Sequence, residues 1–208
     1  GVGLEEFELN TWAHGRAEAR VDDFAIDLLP YNRCPACALE VPIVDAGFGT
    51  ERELDKVRDQ LKGRVAVMHL AMEPFTTPVP ANIRLEALAE AGVVGVVAID
   101  PKDGRRVEYH NGGDWREPET AELPFPAVTT SREHGRLLQQ WAKEGRRLKL
   151  VVESRFYPAP AHNVVGEIPG AQWPGERLVL GGHHDTVYGV PGGNDNASGT
   201  IAVMETAR

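Results

Sequence analysis

The sequence predicts a mixed α/β fold, and three observations carry that expectation. Residues 64–70 and 93–99 are β-rich apolar runs separated by an amphipathic helical stretch at 82–91, a strand, helix, strand unit. A second alternation follows, with a strand-like run at 125–130, a helical pattern at 131–144 and another strand at 148–153. The composition is that of an ordinary globular chain: 208 residues, 42% hydrophobic and 25% charged, long enough for one large domain or two small ones.

Taken in order, residues 4–12 read as extended, with Leu4, Phe7 and Leu9 as candidate inward positions, and residues 16–29 continue a mixed strand-like pattern. Residues 41–46 form a strand ending in Gly47-Phe48-Gly49-Thr50, where Thr50 is placed to cap a short helix over 51–57 whose early acids suit a helix N-terminus. Lys62-Gly63 turns the chain into the buried strand 64–70. Asn82 starts a helix with Ile83, Leu85, Ala87, Leu88 and Ala91 apolar, closed by Gly92. The Pro- and Gly-rich region 101–126 reads as a surface excursion, and Gly145 stops the helix that begins near Ser131.

The prolines of the stretch 156–161 mark a boundary. Beyond it, residues 162–168 and 177–182 read as two strands that pair, and a helical pattern starts near Ala197 and is still running at Arg208. There is no internal repeat or low-complexity tract.

Charge and hydropathy exclude some classes of function. A formal net charge of −9 leaves no broad basic surface for phosphates, and the one basic run, residues 145–149, is short and interrupted by Leu148, so nucleic acid is not an expected partner. The longest apolar stretch, residues 91–99, is half of the roughly 18 residues a spanning helix needs, so no transmembrane segment is expected. The first residues lack the basic start and apolar stretch of a signal peptide and contain no Met.

Two cysteines form Cys34-Pro35-Ala36-Cys37, without the second Cys or His pair of a structural zinc site. The flanking residues read as loop rather than strand and helix, which disfavours a thioredoxin-like role. A local disulfide or two unpaired thiols remain. The oxidised form would point to an extracytoplasmic or secreted home.

The chemistry concentrates in residues 181–199, GGHHDTVYGVPGGNDNASG. The strand at 178–180 runs into His183-His184-Asp185, placing an imidazole and a carboxylate at the carboxyl end of a strand, where α/β proteins build their sites. In an extended chain His183 and Asp185 project to the same side, so Asp185 can accept from one ring nitrogen and leave the other for a metal, while His184 faces away. Asp195 follows a glycine-rich turn and is expected to open a helix, its two oxygens free to bridge cations. Asn-Asp-Asn is also a good turn and N-cap sequence in its own right, but the combined pattern favours a metal site.

HHDTV followed by GGNDNASGT resembles the paired motifs of the M28 family of co-catalytic zinc aminopeptidases and carboxypeptidases. The resemblance implies that His183 ligates one zinc, that Asp195 bridges two, and that Asp185 is the catalytic acid that orients and polarises His183. Residues 162–170 are similar to the family's first catalytic-domain strand. Residues 44–50, 61–67 and 89–95 are similar to pieces of the protease-associated domain inserted in many such enzymes.

That resemblance implies a domain plan. Residues 1–22 are an N-terminal portion of the peptidase domain, 23–155 a β-rich α/β protease-associated domain, and 156–208 the start of an α/β/α zinc-exopeptidase domain that is incomplete here. The family's Glu-Glu pair and its later Asp and His ligands are expected beyond Arg208. Glu167 and Glu205 do not replace them by position.

The implied function is hydrolysis of terminal peptide bonds in peptide or protein substrates, aminopeptidase more than carboxypeptidase. It needs two zinc ions in the full-length enzyme, held weakly or not at all by these residues alone, which are expected to be inactive and to self-associate through an unpaired sheet edge. Other readings are a non-catalytic protein-interaction module or receptor-like relative, and a glutaminyl-cyclase-like enzyme of the same fold. A serine hydrolase around Ser198 is disfavoured because Asn196-Ala197-Ser198-Gly199-Thr200 lacks the first glycine of a nucleophile elbow.

Overall fold

A computed structural model describes residues 1–112 and 122–208. The expected surface excursion over 101–126 therefore lies partly outside the described residues. The chain divides into two compact units, Asn10–Tyr157 and a second made of Gly1–Leu9 with Pro158–Arg208.

The described strands and helices follow the alternation seen in the sequence. They are β1 (Val2–Val21), β2 (Phe24–Ile26), β3 (Leu28–Pro30), β4 (Cys37–Asp45), α1 (Glu51–Leu54), α2 (Arg58–Leu61) and β5 (Val65–His69), then α3 (Ala81–Glu90), β6 (Gly95–Ile99), β7 (Ala127–Thr130), α4 (Arg132–Lys143), β8 (Arg147–Gly166) and α5 (Gly199–Thr206). The strand order is β2-β1-β8-β4-β5-β6-β7-β3. Strands β4 to β7 are parallel neighbours, with Ile43 opposite Val65, Val65 opposite Gly95 and Val96 opposite Ala127. β8 joins β4 and β3 joins β7 antiparallel.

The middle unit holds the hydrophobic core, divided by the sheet into two clusters. Alternation along β5 and β6 sends Val65, Val67, Val97 and Ile99 to one side, where Leu138 of α4 and Leu148, Leu150 and Val152 of β8 meet them. Ala66, Met68, Val96 and Ala98 go to the other side, against Leu54, Leu61, Leu85 and Leu88. Both faces of β5 and β6 are covered, which is why these runs are continuously apolar in sequence. Ser131 caps α4 by accepting from the His134 amide.

Several expectations are corrected. Thr50 precedes α1 without a side-chain capping bond; its hydroxyl instead donates 2.7 Å to Oε2 of the buried Glu73. Leu4, Phe7 and Leu9 are exposed. Leu4 and Phe7 are three residues apart and so point to opposite faces of a strand, and no residue of their unit is buried. Pro158 and Pro160 lie inside β8, so the strand runs on through the stretch read as a boundary, although the two units do divide there, between Tyr157 and Pro158. Two residues apart, the prolines remove donors from the same edge of that strand, which leaves its other edge free to pair.

Residues 177–182, expected as a strand, form no ladder among the described residues, and Leu178 and Val179 are 89% and 85% exposed. An extended segment becomes a strand only when a neighbour takes its backbone groups. The middle unit begins at Asn10, where the sequence suggested 23, because Ala19 and Val21 of β1 are buried in its core; its other limit, Tyr157, lies beside the expected 155.

Both cysteines are free thiols, Cys34 buried and Cys37 half-buried as the first residue of β4. Burial pushes the Cys34 thiol up to about 12. No described helix is long and apolar enough to cross a membrane.

Candidate metal centre

The candidate site lies within the second unit, where the chain passes from residue 181 to 200. Residues 181–187 belong to no helix or strand, and are followed by a turn at 188–189 and a kinked segment, Gly193–Ser198, that leads into α5. Asp195 does not open the helix as the sequence suggested. Its backbone, like that of Asn196, is non-helical, and Ser198 stands directly before α5. The Asp195–Asn196 peptide is cis.

His183 is flanked by carboxylates on both ring nitrogens. Its Nδ1 lies 3.1 Å from Oδ1 of Asp185 and 3.2 Å from the Asp185 carbonyl. Its Nε2 lies 3.1 Å from Oδ1 of Asp195. All three side chains are more than half exposed. A neutral imidazole has one N–H and one lone pair, so it can satisfy only one of two facing carboxylates by donating. The other contact calls for a second proton or for a cation between nitrogen and oxygen.

That second contact fits a metal. Zinc holds imidazole nitrogen and carboxylate oxygen at about 2.0–2.2 Å in tetrahedral geometry, which sets two such donors about 3.3 Å apart. The observed 3.1 Å separation of Nε2 and Oδ1 is close to this. The donors suit a borderline-soft ion, and a carboxylate on Nδ1, where Asp185 lies, is the kind of partner that could turn a ligating His toward one. Only part of a coordination shell is present: among the described residues, no three His, Cys, Asp or Glu side chains converge to hold an ion.

The turn is built by close approach. Gly192 sits at φ +67°, and a Cβ there would lie 2.7 Å from Oγ1 of Thr186. That hydroxyl donates 2.9 Å to the Asp195 carbonyl. Asn196 donates from Nδ2 to the His183 carbonyl at 3.0 Å and accepts at Oδ1 from the Gly199 amide at 3.1 Å, and Thr200 Oγ1 donates to the same His183 carbonyl at 3.2 Å.

The sequence reading of the site did not single out Asn196, Thr186 or Thr200. Helical spacing gives no signal for them, because the Asn196 backbone is non-helical and lies before α5. Ser198, the rival nucleophile, donates to the Asn194 carbonyl at 2.6 Å within its own turn. His184 lies apart from the carboxylates, its Nε2 3.4 Å from the His162 carbonyl. Glu167 and Glu205 are both exposed, and Glu205 pairs with Arg208.

Residues 163–208, which contain all three side chains of the site, match the family model described as Peptidase family M28. This closing stretch is thus similar to peptidase family M28. Over the whole chain the fold is that of M28 aminopeptidase structures. An aminopeptidase from Aneurinibacillus sp. strain AM-1 superposes with a TM-score of 0.73 at 20% identity, covering 100% of this chain and 48% of that one. BSAP, a zinc aminopeptidase from Bacillus subtilis, gives 0.73 at 20% identity, covering 100% and 47%.

Among curated proteins, Carboxypeptidase Q of Xenopus laevis is 26% identical over 74% of this chain and 33% of its own length. A probable leucine aminopeptidase 2 of Aspergillus oryzae is 25% identical over 97% of this chain and 38% of its own. The chain thus spans about half the length of these solved aminopeptidases and between 33% and 38% of the curated relatives.

Proposed function

We propose that this chain is part of a zinc-dependent exopeptidase of aminopeptidase type, in which His183 and Asp195 are metal ligands and Asp185 orients His183. The observation that carries the reading is the His183 ring held between two carboxylates, with Nε2 3.1 Å from Asp195, inside the M28 segment. Aminopeptidase is favoured over carboxypeptidase because both full-coverage structural neighbours and the Aspergillus relative carry that name.

On this reading Asp185 accepts the Nδ1 proton and leaves the Nε2 lone pair for the ion. Asp195 would be the other residue that holds metal here, its carboxylate serving the bridging role that the sequence motif implies. A bound zinc pair supplies Lewis acidity toward the scissile carbonyl and a more acidic water. The middle unit, Asn10–Tyr157, contains the protease-associated domain expected over residues 23–155. Peptides or proteins are the substrates, and self-association through an unpaired sheet edge of the incomplete peptidase domain is part of the proposal.

Zinc takes about four ligands, about three of them from protein in a catalytic site, and two are on hand here. The expectation is weak zinc uptake by residues 1–208 and no turnover. Equilibrium dialysis against zinc with metal analysis, run beside an aminoacyl-anilide assay, tests this. Weak uptake lost in His183→Ala and Asp195→Ala supports the assignment; uptake indifferent to both variants, or chelator-sensitive turnover by this chain alone, overturns it.

A further inference from the structure

We infer that Asn196 and Thr200 are positioning residues, a hydrogen-bonded clasp that sets the distance between His183 and Asp195 before any ion arrives. The inference rests on the metal-centre reading above and adds residues that reading does not use.

The clasp is reciprocal. The His183 carbonyl faces two donors of the Asp195 segment, Asn196 Nδ2 at 3.0 Å and Thr200 Oγ1 at 3.2 Å, the single Thr200 proton being shared between that carbonyl and the Asn196 carbonyl, also at 3.2 Å. In return the Asp195 carbonyl accepts from Thr186, a residue of the His183 segment, at 2.9 Å. Each ligand's own backbone is thus held by a side chain from the other ligand's stretch. Asn196 cannot turn its amide over without loss, because Gly199 donates to its Oδ1 at 3.1 Å and so leaves Nδ2 for the His183 carbonyl.

Burial and packing agree with this. Within residues 181–200 the half-buried positions are Gly192, Asn196, Gly199 and Thr200, and the rest are exposed. A Cβ on Gly182 would lie 3.0 Å from the Gly199 backbone, so the two segments meet closely where the clasp spans them. The exposed ligands have no packing to fix them. Hydrogen bonds to their carbonyls are what hold the 3.1 Å separation of Nε2 and Oδ1.

The test uses the 208-residue chain, cobalt(II) chloride as probe, and NMR. Asn196→Asp keeps the acceptor for Gly199 but turns an oxygen toward the His183 carbonyl. Thr200→Val removes a donor that Thr200→Ser retains. Cobalt is expected to broaden the His183 ring protons in the wild type, with apparent affinity falling about 10–100-fold in Asn196→Asp and Thr200→Val. Thr200→Ser should stay near wild type, and the thermal melt of the middle unit should not move in any variant.

Wild-type affinity in Asn196→Asp and Thr200→Val, with broadening lost in His183→Ala, overturns the clasp while leaving the metal reading intact. Absence of broadening in the wild type removes the metal reading. The metal-free spectrum then decides the clasp. A nuclear Overhauser contact between the Asn196 amide protons and the backbone of residues 183 and 184 supports it, and no such contact overturns it.

Discussion

Nε2 of His183 lies 3.1 Å from Oδ1 of Asp195, although they stand twelve positions apart in sequence. The turn that folds back between them depends on Gly192 at φ +67°. Replacing Gly192 with Ala adds a Cβ 2.7 Å from Thr186 Oγ1 in a conformation that L side chains rarely adopt. Gly192→Ala is expected to break the Thr186 to Asp195 bond and lower cobalt affinity about tenfold. Circular dichroism melts of the middle unit should be unchanged; a shift there would place the effect elsewhere.

The distribution of burial predicts where stability resides. Leu138 is fully buried between α4 and the sheet, whereas Leu178 is 89% exposed. Leu138→Ala should cost about 2–5 kcal/mol in urea unfolding. Leu178→Ala should stay within about 0.5 kcal/mol. Similar losses for the two would mean that residues 177–182 are covered in solution.

These contrasts show what was legible in the sequence. β5, β6, α3 and α4 were readable because apolar periodicity follows directly from being covered on both faces or on one stripe. The 20-residue β8 was not, since Pro158 and Pro160 signal a boundary to anyone reading locally, and only an unpaired edge makes them tolerable. Residues 177–182 carried strand chemistry, yet a ladder depends on a partner that local pattern does not specify. The pairing of His183 with Asp185 followed from their two-residue spacing. The roles of Asn196 and Thr200 did not, because their partner is a main-chain carbonyl thirteen or more residues away, and any residue type supplies one.

Arg84 is 3% exposed and donates to the carbonyls of Phe48, His69, Leu70 and Ala71, tying the loops after β4 and β5 together. Burial lowers its pKa. Arg84→Met removes the charge but leaves those carbonyls without a donor, and is expected to destabilise the middle unit by about 2–4 kcal/mol. Equilibrium unfolding measures it. A neutral result would show that water replaces the guanidinium.

Alkaline pH should unfold the middle unit through Cys34 and Tyr31. Burial raises the Cys34 thiol from 9.0 to about 12 and pushes the Tyr31 hydroxyl up as well. The folded state therefore holds these protons more tightly than the unfolded state. The stabilisation is complete below about pH 9 and is lost as pH rises toward 12. Each group contributes a slope of at most about 1.4 kcal/mol per pH unit. Cys34→Ser should flatten the first part of that decline in urea melts run from pH 8 upward; an unchanged slope would remove Cys34 from the account.

The most direct measurement is an anomalous-difference map at the zinc edge from crystals of this chain soaked in zinc. The account predicts a peak about 2.0–2.2 Å from both His183 Nε2 and an Asp195 carboxylate oxygen, with water completing the shell. A peak bound elsewhere, with none between those two side chains, would contradict it.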